Sequence, residues 1–588
     1  MDKTSYRSML LFMCILFSSV FYSSSGICCK DIIVCGDASA GDYNLLLKVR
    51  DPSRPGLQVL TMVPCGYEYN FTHPWSGAVM TFRVNHSYIG VATVGDTSPN
   101  IFKAGMLFTD AGLAYGDADT MSNWVNPSRF AWDDFDWLRY SAEKASDIDE
   151  AVKLLTVDVV DGMHAPGVSE NLFVVSGDKG VVVEADAYRY HVHSFSDGVW
   201  VMSNYPVNLW STQVYKCLSI ASSYDSFVDR VVRSGGIISL GGLFGVKVIR
   251  VTPSFIMVRQ LPFVKYNERF IFMGTPVVIP RGEHRRVGDF DVWFVDYVST
   301  GAFVRVRTSV KAWEDEIVGR LNERYGSLSV VDLMNLSRLH STDLSYLRGM
   351  CEDRFIYECA MIYQIPRVNA DLFSMGWFSA NHACSSIYVP VHIVDSDIYT
   401  PYTTGEAANL SLSLLSCYGH GVLTDVFSQV EQVFIRENNV LEDLAVGYIN
   451  QPEILVSLFT ISDTCIQRQA FLTECFYLNY AKKLLSFNVS DSSLSLPRLW
   501  GVDYYTSLDK MCGVLSSLGD NMSFGDLKGV IVDIALSIGL SRVLLSHIVD
   551  HDPVLDELYI QAEYALRTGN IYAGFNLLKM IVERTSWV

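Results

Sequence analysis

Cys29 follows Cys28 at the end of an apolar N-terminal run and opens the segment Cys29-Lys30-Asp31-Ile32-Ile33-Val34. A cut between the two cysteines would leave Cys29 with a thiol and an α-amine on one residue. The amine titrates at roughly pH 8 and a thiol at roughly 8.5, so a proton passes between them at little cost near neutrality. An N-terminal amine acting as base for its own side chain is one way a nucleophile is activated. The pair suits attack on a carbonyl carbon, and hence cleavage of amide bonds. The competing reading is a structural cysteine, buried or paired with Cys28.

Other clusters carry weaker chemistry. His382-Ala383-Cys384 with His392 offers soft ligands, but no complete set of four stands at a recognised spacing, so structural histidine and cysteine are expected and no metal. The segment from Trp124 to Trp137 holds Asp133, Asp134 and Asp136 and could line a cleft. Its simpler role is a helix start, capped by Asp133 or Asp134. Arg338 and Arg348 could clamp a substrate carboxylate, against which stands ordinary salt bridging. No phosphate-binding glycine loop occurs, and no organic cofactor is implied.

The elements that must position these residues are legible in outline. Apolar runs at 44–49, 58–63, 80–84 and 89–94 read as short strands between Gly, Pro and Asn clusters. Residues 133–155 carry helical spacing. Residues 172–175 and 181–184 form a hairpin signal around Gly177-Asp178-Lys179-Gly180, and 199–203 is a strand ending at Asn204-Tyr205-Pro206. Strands return over 246–307, then helices at 310–325 and 330–339. This order predicts antiparallel sheets with helices packed outside, an α+β body. From about Gly421 helical periodicity takes over, at 422–434, 454–485, 524–548 and 555–582.

Residues 1–28 have the three-part layout of a secretory leader: polar Met1–Arg7, apolar Met9–Tyr22, then small residues. The apolar part is short for a membrane span, so export is favoured over an uncleaved tether through residues 9–22. Bulky Ile27 before Cys28 fits lipoprotein processing poorly. Thirteen cysteines without a CxxC pair do not make a disulfide scaffold. The 588-residue chain is long enough for more than one domain, and its formal charge of −19 argues against nucleic acid as a partner.

Several motifs occur in a telling order: Cys29-Lys30-Asp31-Ile32-Ile33-Val34, Leu47-Lys48-Val49-Arg50-Asp51, Asp110-Ala111-Gly112-Leu113, Ser169-Glu170-Asn171-Leu172, Val183-Glu184-Ala185-Asp186, Met202-Ser203-Asn204-Tyr205-Pro206 and Cys384-Ser385-Ser386-Ile387-Tyr388. Together they resemble the N-terminal-nucleophile cysteine hydrolases that include carcinine hydrolase, isopenicillin-N acyltransferase, the bile salt and penicillin acylases and related dipeptidases. The resemblance spans about residues 29 to 400. It implies a four-layer αββα body over 29–420, after a leader at 1–28, with an added C-terminal helical region at 421–588. It also implies Cys29 as nucleophile, Asp51 holding its amine, and Asn204 binding the oxyanion. The family's arginine, three residues before the aspartate, is replaced by Lys48, with Arg50 nearby on the same strand face. Asp119 falls near a second oxyanion asparagine, where an ionised carboxylate cannot donate. The implied function is hydrolysis or acyl transfer at linear amide or peptide bonds, on a small-molecule amide or short peptide substrate, without metal or cofactor. The alternative is a secreted binding protein that kept the scaffold without the activity. A weaker third reading is an adaptor whose partner surface lies after Gly421.

Overall fold

The computed structural model describes residues 29–486 and 553–584, apart from 51–55, 95–103, 121, 123, 210–227, 242–243, 262–263, 267–268, 272–275, 289, 345–348, 352–355 and 569. The leader, Asp51, Arg348 and the expected helix at 524–548 therefore lie outside the described residues.

The chain is a mixture of helix and sheet built on two antiparallel sheets. Their strands, numbered in chain order, are β1 (Lys30–Cys35), β2 (Tyr43–Arg50), β3 (Gln58–Val63), β4 (Tyr88–Thr93), β5 (Leu107–Thr109), β6 (Leu113–Thr120), β7 (Ser169–Val175), β8 (Gly180–Ala185), β9 (Tyr190–Phe195), β10 (Gly198–Met202), β11 (Cys359–Pro366), β12 (Met375–Ser379) and β13 (Val389–His392). The first sheet runs β10-β1-β2-β11-β12-β13 and the second β9-β8-β7-β6-β5-β4-β3. Strands β7 and β8 pair as the expected hairpin.

The two sheets meet face to face. A Cβ on Gly116 of β6 would lie 2.7 Å from Asp31 Oδ1 of β1, and one on Gly180 of β8 would lie 2.8 Å from Ile33 Cγ2. Phe108 and Tyr363 touch across the same gap, ring centroids 5.5 Å apart. Because strand side chains alternate, Cys29, Asp31 and Ile33 point into this gap while Ile32 and Val34 face away.

Helices α1 (Asp134–Ala142) and α2 (Ile148–Lys153) pack on the second sheet, burying Trp137, Leu138, Ala142 and Ala151 against Tyr115, Leu172 and Val174. The single helix expected over 133–155 is broken because Asp147 caps a new start, accepting from the Glu150 N–H at 2.8 Å. Asp133 caps α1, as anticipated. Helices α3 (Ser309–Asn322) and α4 (Val330–Ser337) pack on the first sheet through Trp313, Ile317 and Leu333.

Residues 228–308 form two four-stranded antiparallel sheets around their own apolar cluster of Ile238, Val246, Val258, Phe290 and Val304. Helices α5 (Glu406–Tyr418), α6 (Thr424–Ala445) and α7 (Pro452–Ser486) follow, and a final pair, α8 (Pro553–Arg567) and α9 (Ile571–Arg584), pack on each other. Phe427, Val430 and Phe434 of α6 and Ala470 and Tyr477 of α7 join the same apolar core as the first sheet. Among the described residues no helix is long and apolar enough to cross a membrane.

Candidate active site

Cys29 stands immediately before β1, half-buried, and the described cysteines form no disulfides with one another. Strand register decides what surrounds it. Asp31 pairs directly with Lys48 and Lys30 with Val49, so Arg50 is the cross-strand neighbour of Cys29. Cys29, Asp31, Lys48 and Arg50 therefore share the face that looks into the gap between the sheets.

Lys48 is fully buried there. Its ammonium lies 3.4 Å from Asp31 Oδ2 and 3.2 Å from Asp117 Oδ1, donates to the Asp117 carbonyl, and hydrogen-bonds the Cys29 thiol. Burial opposes the charge, but Asp31, Cys29 and Asp117 outweigh it and hold the lysine well above its ordinary value. A permanent cation against a thiol favours the thiolate, the form that attacks carbonyl carbon. Lysine supplies this as a point charge, without the planar fork of an arginine.

The turn after β10 closes the other side. The Ser203 hydroxyl donates to the Cys29 carbonyl at 3.0 Å, and Asn171 Nδ2 donates to the Ser203 carbonyl at 2.7 Å. Asn204, also buried, donates through Nδ2 to the Asp119 carbonyl at 2.8 Å. Thus the backbone of Asp119 supports Asn204, while its side chain points elsewhere. That carboxyl faces Glu170, directly opposite on β7, and Asp134 at the start of α1. Burial drives the Asp119, Asp134 and Glu170 carboxyls upward, and their mutual repulsion adds to it for Asp134 and Glu170. Arg50 reaches Gln58 Oε1 at 2.8 Å and stacks on Phe135, 4.9 Å from the ring centre.

Cys29, Lys48, Asn204 and the Asp119 backbone are thus brought together, with Arg50 at the margin and Asp51 outside the described residues. Sequence reasoning missed Asp31 and Asp117, the two carboxylates that hold Lys48. The available signal was an aspartate set in each of two buried runs, Asp31 within Lys30–Cys35 and Asp117 within residues 113–118.

The remaining candidates resolve differently. Arg338 is no substrate clamp: it is buried in a two-pronged pair with Glu431 of α6, at 2.5 and 2.8 Å, and donates to the Ala383 carbonyl at 2.8 Å. His392 is separated from Cys384 and bound to Asp463 of α7, Nδ1 to Oδ2 2.8 Å, with Glu442 Oε1 3.5 Å from Nε2. Burial works against its charge, but Asp463, Glu442 and Asp395 prevail and raise it from 6.5 to about 10. A histidine raised in the folded state stabilises fully below its unfolded value and loses that contribution as pH climbs through its folded one. Asp463→Asn is therefore expected to cost about 3–5 kcal/mol at pH 6, by taking from a buried charge its nearest partner. The deficit relative to wild type should shrink toward pH 10, as chemical denaturation across that range would read.

No protein-family model and no curated protein sequence matches the chain. Among solved structures it is similar to penicillin V acylase from Agrobacterium tumefaciens, at 14% identity and a TM-score of 0.22, over 30% of this chain and 53% of that one. It is also similar to a mutant of the conjugated bile acid hydrolase from Clostridium perfringens, at 13% identity and a TM-score of 0.23, over 31% of this chain and 55% of that one. The chain spans about half the length of each of these structures.

Proposed function

We propose that this protein is an N-terminal-nucleophile hydrolase of four-layer αββα build, which cleaves linear amide or short peptide bonds through a thioester on Cys29. One observation carries the reading: a buried lysine, fixed by two carboxylates, hydrogen-bonds a thiol at the very start of a strand paired on both sides. A cation in that place has no packing purpose an aliphatic would not serve better, and it is what a nucleophilic sulfur needs.

In the full chain the nitrogen of Cys29 is still tied to Cys28. Export through the leader, and release of residues 1–28 by a signal peptidase or by attack of the Cys29 thiol on the Cys28 carbonyl followed by hydrolysis of the resulting thioester by water, would free it. The freed amine then takes the thiol proton, with Asp51 proposed to hold that amine. The thiolate adds to the substrate carbonyl, and the second N–H of Asn204 is proposed to meet the oxyanion; such a donor is worth roughly 10²–10³ in rate. Collapse expels the amine product, which takes the proton back from the Cys29 α-amine. Water, or a second amine in the case of acyl transfer, resolves the thioester.

The test is a rapid acid quench of processed protein mixed with a panel of acyl-amides and dipeptides. An acyl group should be found by mass on the peptide that begins at Cys29. Turnover with the acyl group on another residue, or no turnover across the panel, would dismiss the reading.

A further inference from the structure

A second side-chain cluster lies at the helical flank of the first sheet and plays no part in the chemistry above. We propose that His340, Cys351, Cys384 and His420 bind a structural zinc ion. The four come from separate parts of the chain: His340 from the stretch after α4, Cys351 from the approach to β11, Cys384 from the β12–β13 connection, and His420 from the α5–α6 loop. Their ligand atoms all lie within 4.8 Å of one another.

The spacing is that of a metal tetrahedron. Zinc–sulfur bonds of about 2.3 Å and zinc–nitrogen bonds of about 2.0–2.1 Å, at tetrahedral angles, put sulfur–sulfur and sulfur–nitrogen edges near about 3.8 and about 3.5 Å. Cys351 Sγ to Cys384 Sγ is 3.6 Å, and Cys384 Sγ to His420 Nδ1 is 3.6 Å. A disulfide would need the sulfurs at about 2.0 Å. Two thiolates with two imidazoles are a donor set that favours zinc over the hard cations, and four protein ligands leave no open position for catalysis.

The surroundings fit the same ion. Both cysteines are buried and both histidines are partly so. His420 sits between Gly419 and Gly421, whose φ of 83° and 77° are left-handed, a backbone that lets one residue be turned inward from a tight loop. His382 Nδ1 lies 3.3 Å from Cys351 Sγ and 3.6 Å from Glu358 Oε1, where its hydrogen would support the metal-bound thiolate from the next layer out. The ion would tie the α5–α6 loop to the first sheet, beside the buried pair that joins Arg338, at the end of α4, to Glu431 of α6.

The test uses the full chain, purified without metal-affinity resin and dialysed against a chelator. Elemental analysis should find close to one zinc per chain, released when the thiols are blocked with a mercurial. Cys384→Ser and His420→Ala should each lower this below about a tenth, while Cys65→Ser, at an exposed cysteine remote in the chain, should leave it unchanged. Wild type refolded with cobalt chloride should show the visible bands and the thiolate charge-transfer absorption of a tetrahedral site, which keeps the test decisive if the variants do not fold. Folded wild type without zinc, a Cys351–Cys384 disulfide in it, or a cobalt form lacking those bands would overturn the assignment. Zinc retained in both variants would do so as well.

Discussion

Cys29→Ser should fold with little change in melting temperature and lose amide hydrolysis by at least about 10³-fold in kcat/KM, since removing a nucleophile removes the acyl-enzyme route. The fold should tolerate it because Cys29 is half-buried at a strand start, outside any disulfide among the described residues, and the exchange keeps its size and one polar hydrogen. Catalysis should not, because the Lys48 cation stabilises a thiolate, whereas an alcohol of far higher pKa stays protonated beside it. A purely structural cysteine predicts the opposite pattern, a lowered melting temperature with turnover intact. Steady-state kinetics and calorimetry on the same preparations separate the two.

Lys48→Met should have the second large effect, and on two quantities at once. It strands Asp31 and Asp117 against each other in a gap closed by both sheets, and loss of one partner from a buried ionic group costs about 3–5 kcal/mol. It also removes the cation beside Cys29, so the pH profile for alkylation of that thiol should move upward. The double variant Lys48→Met with Asp31→Asn tells these consequences apart. It should regain most of the lost stability, because one uncompensated carboxylate is gone, while the slow alkylation persists. Recovery of both together would mean that Lys48 serves only to balance charge.

Much of the scaffold was legible because its signals are local. The hairpin from Ser169 to Ala185 announces itself through the short apolar runs 172–175 and 181–183 on either side of Gly177-Asp178-Lys179-Gly180. Capping carboxylates mark both α1 and α2, although the second cap, at Asp147, was hidden by the continuous apolar spacing that made 133–155 read as one helix.

Charge partners were less legible, because they depend on register. Asp31 and Lys48 are opposite each other only when β1 and β2 pair in one of their two side-chain phases, and a one-residue slip would turn Lys48 out of the gap. Asp117 comes from the other sheet altogether. The same reason hid the zinc ligands: Cys384 was visible beside His382, but its companions at 340, 351 and 420 arrive from loops whose meeting only the tertiary fold decides. Composition suggested His392 as the extra ligand, and Asp463 of α7 holds it instead.

The claim on which the enzymatic account rests is that one residue supplies both the attacking sulfur and the accepting nitrogen. Intact mass and N-terminal sequencing of secreted protein, taken on the fraction that turns over an amide substrate, address it in one step. The account predicts a chain whose first residue is Cys29, with its amine unblocked. Active protein that still carries Cys28 or anything before it would contradict the account, because the nitrogen would then be an amide and could not take the proton.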